Sequence, residues 1–184
     1  MHNILLIVDV QHDFVAGALG SAKAEQVMQD IARYAKQKAK EGWHLVFTRD
    51  THDDNYLDTR EGKKLPVPHC IRRTPGHAIC DAVRESVEFS KRMDIIDKSG
   101  FGYLQWADEQ TDAGALCPDV DRLEVCGFCT DICVVSNVLD LRNRLDCEID
   151  ILENLCAGTT EEKHRAALAV MDSCQCNIKT AEIK

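Results

Sequence analysis

"RLEVCGFCTDICV", residues 122–134, changes character midway. Its first half is an apolar, β-branched run, and its second half opens a pattern in which apolar residues recur at helical spacing. Thr130 and Asp131 are residue types favoured at helix N-caps, so the pattern predicts a helix over 131–144 with Cys133 in its first turn. A strand that passes through a short turn into a helix is the repeating unit of α/β folds.

The same alternation runs outward in both directions. Upstream lie a strand in "NILLIVDV", a helix over 21–41 and a strand in "WHLVFTRD". Ala24, Val27, Met28, Ile31, Tyr34 and Ala35 share one face of that helix. A helix near 77–86, a strand in "MDIIDKS" and a helix near 104–114 follow. Downstream come the strand "CEIDILEN", a helix over 160–173 and a last strand in "NIKTAEI". Near-continuous apolar strands between helices predict a parallel sheet covered on both faces. The expected fold is α/β, a Rossmann-like three-layer sandwich around a mostly parallel six-stranded sheet, as one domain over 1–184. A polar loop at about 51–76 holds three of the four prolines, and so long an irregular connection implies a task. No G-x-G-x-x-G follows the first strand, so the dinucleotide fingerprint is missing.

Composition narrows the class. A formal net charge of −9 argues against a nucleic-acid surface. The apolar opening is interrupted at Asp9, too early to span a bilayer, and lacks the marks of a signal peptide. Ten cysteines without a secretory signal fit a reducing, cytoplasmic setting. Cys126 and Cys129 spell C-x-x-C, which keeps open a non-enzymatic metal-binding or redox protein, but a second such pair is absent.

In a parallel sheet, ligands bind beyond the carboxyl ends of the strands. Those ends here carry Asp9, Asp50, Lys98 and the segment Cys129–Cys133. A helix start and a nearby Lys98 favour a thiolate at Cys133 over a buried structural thiol. Backbone N–H groups of Cys129 and Cys133 can form an oxyanion hole. Asp9 interrupts an apolar strand and needs a partner or a task, and one such task is general base to Cys133. Gly100 and Gly102 beside Lys98 indicate close backbone packing around a cavity.

Asp50 and His52 stand two residues apart, so an extended segment directs both to one side. With His69, held between prolines in "LPVPHC", they suit a divalent transition metal with open coordination positions. Glu61 is a candidate fourth ligand. His12, His44, His77 and His164 are assigned to surface or core packing.

"DVQHDF", "RDTH", "PHCIRRTPG", "KSGF" and "GFCTDICV", in this order, resemble the isochorismatase-like cysteine hydrolases, and within them the nicotinamidases. The resemblance implies a catalytic Asp9–Lys98–Cys133 triad and Asp50, His52 and His69 as metal ligands, with Glu61 near a variable fourth. It implies a cis peptide between Phe128 and Cys129. It further implies amide hydrolysis through a Cys133 thioester, with zinc as the first choice of ion and manganese or iron as alternatives. The implied partner is a small-molecule amide, nicotinamide first, and the chain is expected to be a homo-oligomer. The family's usual aromatic three residues before the second metal histidine is Pro66 here, beside Leu65. Phe14 is then one ring wall of the substrate site, with Tyr103 or Trp106 as another. The alternative substrate is a different small amide or a carbamoyl compound.

Overall fold

In the computed structural model, residues 1–88, 90–106 and 120–184 are described. Six strands, β1 (Asn3–Val8), β2 (His44–Asp50), β3 (Met93–Lys98), β4 (Arg122–Phe128), β5 (Glu148–Ala157) and β6 (Asn177–Lys179), form one sheet. Its order is β3-β2-β1-β4-β5-β6, and every pairing is parallel. The expected mostly parallel sheet is thus parallel throughout. The helices are α1 (His12–Val15), α2 (Ala22–Lys40), α3 (Asp81–Ser86), α4 (Val135–Arg142) and α5 (Glu161–Ser173). Right-handed crossovers put α2 and α3 on one face of such a sheet and α4 and α5 on the other. Consistent with cover on both sides, Leu5, Leu6, Ile7 and Val8 are all buried along β1. β3 lies at an edge and leaves Met93 and Ile95 exposed.

Local chemistry sets the boundaries. Ser21 accepts the Ala24 N–H and caps α2, while Thr160 accepts the Lys163 N–H and caps α5. The helix expected over 77–86 begins only at Asp81. Pro75–His77 form a 3₁₀ turn, and Ile79 pairs with Gln11 in an isolated antiparallel bridge. β5 runs longer than "CEIDILEN" because Cys156 and Ala157 pair with Gly127 and Phe128. β6 is shorter than "NIKTAEI" because the Ala181 N–H bonds to the Asn154 side chain in place of a strand. The helix expected near 104–114 falls largely outside the described residues.

The sheet order reverses between β1 and β4, so their carboxyl ends diverge around a crevice. Gly127 sets the spacing there. Its φ is +128°, and a Cβ at this position would stand 2.1 Å from the Val8 carbonyl oxygen. Only glycine lets the two backbones approach so closely. Among the described residues, no helix is long and apolar enough to cross a membrane.

Candidate active site

Asp9 follows β1 with a φ of 51°, a left-handed conformation that aspartate tolerates better than most residues. Its Oδ1 accepts the Thr48 hydroxyl at 2.7 Å, and its N–H reaches the Thr48 carbonyl at 3.2 Å. Lys98 ends β3, two strands away from β1 in the sheet. Its ammonium lies 2.7 Å from Asp9 Oδ2, 3.5 Å from Asp50 Oδ1 and 3.5 Å from Cys133 Sγ. It also donates to the Gly100 carbonyl at 3.0 Å. The Lys98 ammonium is thus the shared neighbour of Asp9 and Cys133.

Cys133 arrives by a route the sequence reading missed. After the cis peptide Phe128–Cys129, residues Thr130–Val134 form a π-helical turn, and the Val134 N–H bonds the Cys129 carbonyl five residues back. The α-helix starts only at Val135. Neither Thr130 nor Asp131 caps it. The Thr130 hydroxyl pairs with His164 Nδ1 at 2.8 Å, and Asp131 accepts the Thr159 N–H at 2.7 Å and its hydroxyl at 2.6 Å. Both side chains therefore tie the cysteine turn to β5 and α5.

Burial decides the charge states. Asp9, Lys98 and Cys133 are 0%, 2% and 4% exposed, so an unpaired charge among them would be costly. Burial works against the Lys98 ammonium, but Asp9, Cys133 and Asp50 outweigh it and hold the lysine charged. Burial lifts the Asp9 carboxyl above the usual carboxylate range against the pull of Lys98. Burial also pushes the Cys133 thiol well up, Asp9 adds to this, and Lys98 opposes it. Burial thus opposes the thiolate expected from a helix start and favours the protonated thiol.

Beside this trio lies a second cluster. One donor atom each from Asp50, His52, Glu61 and His69 falls within a 4.8 Å group. His52 Nε2 and His69 Nε2 stand 3.0 and 3.4 Å from the same Asp50 oxygen, and 3.7 and 3.8 Å from Glu61 Oε1. His69 Nδ1 lies 2.9 Å from the Val67 carbonyl, a bond that leaves Nε2 free to face the other donors. Burial opposes the Asp50 charge, yet His52, His69 and Lys98 hold its carboxyl well below the usual range. The donor set fits a divalent cation: two imidazoles and two carboxylates neutralise a dication, while Asp9 and Lys98 neutralise each other. Among the described residues, this grouping of metal-type donors includes neither Cys126 nor Cys129. Cys126 is wholly buried in the core, so C-x-x-C does not form a redox or metal pair facing solvent.

Cys133 and the four donors line one cleft of ≈ 930 Å³, with Phe14, Leu19, Leu65, Phe101 and Ile132 as apolar walls. Phe14 meets His69 edge-on, with ring centroids 5.6 Å apart. Cys129 also lines the cleft. Tyr103 and Trp106 do not: they pack edge-on against each other at 5.1 Å, and Trp106 is fully buried. Phe101, from the same segment, lines the cleft. Pro66 is exposed and also lies outside the cleft lining.

Several supporting residues escaped the sequence reading. Thr48 interrupts an apolar strand two residues before Asp50, a signal that was available. Gln11 takes the Asp50 N–H on its Oε1 at 2.7 Å and returns its Nε2 to the Asp50 carbonyl at 2.9 Å. Buried Tyr56 packs on the imidazoles of His52 and His69, at 4.7 and 5.0 Å, and donates to the Leu65 carbonyl at 2.9 Å. His44, His77 and His164 bond to Asp94, Thr51 and Thr130 away from the cleft, and His12 lies near Asp81.

The model of the isochorismatase domain matches residues 3–183. The nicotinamidase/pyrazinamidase of Mycobacterium tuberculosis is 30% identical over 91% of this chain and 92% of its own. Among solved structures, the nicotinamidase/pyrazinamidase of Bacillus subtilis superposes with a TM-score of 0.81 at 27% identity, covering 97% of this chain and 99% of that one. The pyrazinamidase of Pyrococcus horikoshii, solved in complex with zinc, gives a TM-score of 0.79 at 27% identity, covering 98% and 100%.

Proposed function

The chain belongs to the isochorismatase family, and from that premise we propose that it hydrolyses nicotinamide to nicotinate and ammonia through a thioester on Cys133. The observation that carries this reading is the buried contact of Asp9, Lys98 and Cys133, of which Cys133 lines the same cleft as a four-donor cluster suited to a metal. Relatives named as nicotinamidases support the choice of amide.

Asp9 takes the Cys133 proton, and the sulfur adds to the carboxamide carbon. Lys98 remains charged beside the forming thiolate. Backbone N–H groups of Cys129 and Cys133 receive the developing oxyanion. Asp9 returns the proton to the amide nitrogen, the C–N bond breaks and ammonia leaves. Asp9 then accepts a proton from water as it attacks the thioester. The C–S bond breaks, and the proton goes back to the sulfur. Phe14 forms one wall for the pyridine ring.

Asp50, His52, His69 and Glu61 would hold the ion, zinc first and manganese or iron as alternatives. When bound, it supplies an electron-pair acceptor for the pyridine nitrogen. The aliphatic Leu65 and a cleft larger than one aromatic ring favour, as second reading, another small amide or carbamoyl substrate. Ammonia release from nicotinamide by the purified chain, with and without added zinc, tests the proposal. Metal-dependent release is expected. No ammonia from metal-loaded protein overturns it in favour of the second reading.

A further inference from the structure

Asn137 lies one helical turn beyond Cys133 on α4 and is fully buried. Its Nδ2 donates to the Cys133 carbonyl at 2.8 Å and to the Phe101 carbonyl at 3.3 Å. Its Oδ1 accepts the Tyr103 N–H at 2.9 Å and the Trp106 indole N–H at 3.1 Å. A carboxamide offers two donor hydrogens and two acceptor lone pairs, and here all four are used. The partners also fix its orientation, because a flipped amide would set its NH₂ against two pure donors.

One of the four partners belongs to the residue that carries the thiol, and the other three to the segment just after Lys98. That segment contains Phe101, a cleft wall, and its Gly100 carbonyl holds the Lys98 ammonium. It rests directly on the cysteine helix: a Cβ at Gly102 would stand 3.5 Å from Ser136. Asparagine is a poor residue for a helix interior, since its side chain competes for backbone hydrogen bonds. Tertiary work therefore accounts for its place there better than helix propensity does.

We propose that Asn137 is a positioning residue, a carboxamide clamp that fixes the Cys133 turn against the wall bearing Lys98 and Phe101. This rests on Cys133 being the nucleophile. It predicts that the clamp governs the alignment of the thiol with its partners more than the affinity of the cleft.

The test uses the full, metal-loaded chain with Asn137→Ala and Trp106→Phe. Three quantities are read: kcat and KM on nicotinamide, the rate of Cys133 alkylation by iodoacetamide followed by peptide mass spectrometry, and Tm. For Asn137→Ala, kcat and the alkylation rate should both fall about tenfold or more while KM stays within about threefold. A folded variant whose kcat and alkylation rate are within about twofold of the parent, or higher, overturns the proposal. Should Asn137→Ala not fold, Trp106→Phe decides, since it removes one donor to the clamp and keeps a buried ring. A fall of about threefold in Cys133 alkylation is expected, and an unchanged rate overturns the proposal. If the parent chain leaves nicotinamide intact, the alkylation rates still test the clamp, so a wrong substrate and a wrong clamp give different results.

Discussion

Asp9 and Lys98 form a 2.7 Å ion pair whose side chains are 0% and 1% exposed. Breaking such a pair by deleting one partner leaves an uncompensated buried charge, at a cost of about 3–5 kcal/mol. Lys98→Ala should therefore lower Tm strongly, because Asp9 and Asp50 lose their shared counter-charge. Asp9→Asn should lower kcat by about 10²–10⁴-fold, the range for loss of a general acid–base group. Thermal melts and steady-state kinetics on the two variants check both outcomes.

Cys133→Ala should abolish turnover while the fold persists. Cys126→Ala should leave kcat near the parent value and act on stability alone, since Cys126 sits in the core away from the cleft. Circular dichroism with ammonia release separates the two. Activity surviving in Cys133→Ala would rule out the thioester route.

Removing the metal should weaken nicotinamide binding, because Asp50, His52, Glu61 and His69 converge on one point of the cleft wall. Benzamide, which lacks the ring nitrogen, should show a kcat/KM lower by about tenfold or more. Equal rates on the two amides would remove the ring nitrogen as an anchor. Added zinc should also raise Tm, by about 2.7 kcal/mol of stabilisation at a hundredfold excess over Kd. His69→Ala should remove most of that rise.

Stability should fall as pH drops below the ordinary imidazole value of 6.5. Burial lowers the pKa of His44, His77 and His164 in the fold. The unfolded chain then binds more protons than the native one in this window, which favours unfolding as pH decreases. Stability from these groups is fully present above 6.5 and is lost as pH falls toward their folded values. His69 has the opposite sign in the metal-free chain: burial lowers it, but Asp50 and the Val67 carbonyl outweigh this and raise it. Urea titrations of the parent and His164→Asn between about pH 7 and 5 should show a shallower decline in the variant. Parallel curves would show that His164 contributes nothing to the slope.

The strands were legible because residues buried on both faces leave continuous apolar runs, as in Ile4–Val8 and Leu45–Phe47. Asp9, Asp50 and Lys98 stood out as charges ending such runs, and the parallel order of the sheet brings those ends together. What failed were inferences from local chemistry where distant partners decide. Thr130 and Asp131 have the composition of caps, yet His164 and Thr159 claim them. The Cys133 thiolate was inferred from a helix start, but desolvation is a property of the packed interior and outweighs the Lys98 charge. Tyr103 looked available as a ring wall, and its backbone is instead turned inward by Asn137, a residue four positions from Cys133 on the same helix face.

Gly127 touches no reacting atom, yet the site depends on it. Asp9 directly follows Val8, and Cys133 belongs to the turn Thr130–Val134 that follows the end of β4, so Asp9 and Cys133 leave the sheet from the same pair of close-packed backbones. The gap between them is set by a methyl group that is not there, since any Cβ would strike the Val8 carbonyl. In a saturation screen scored only for activity, position 127 would therefore be as intolerant as Asp9 or Cys133. Its intolerance would report shape, whereas theirs would report reactivity.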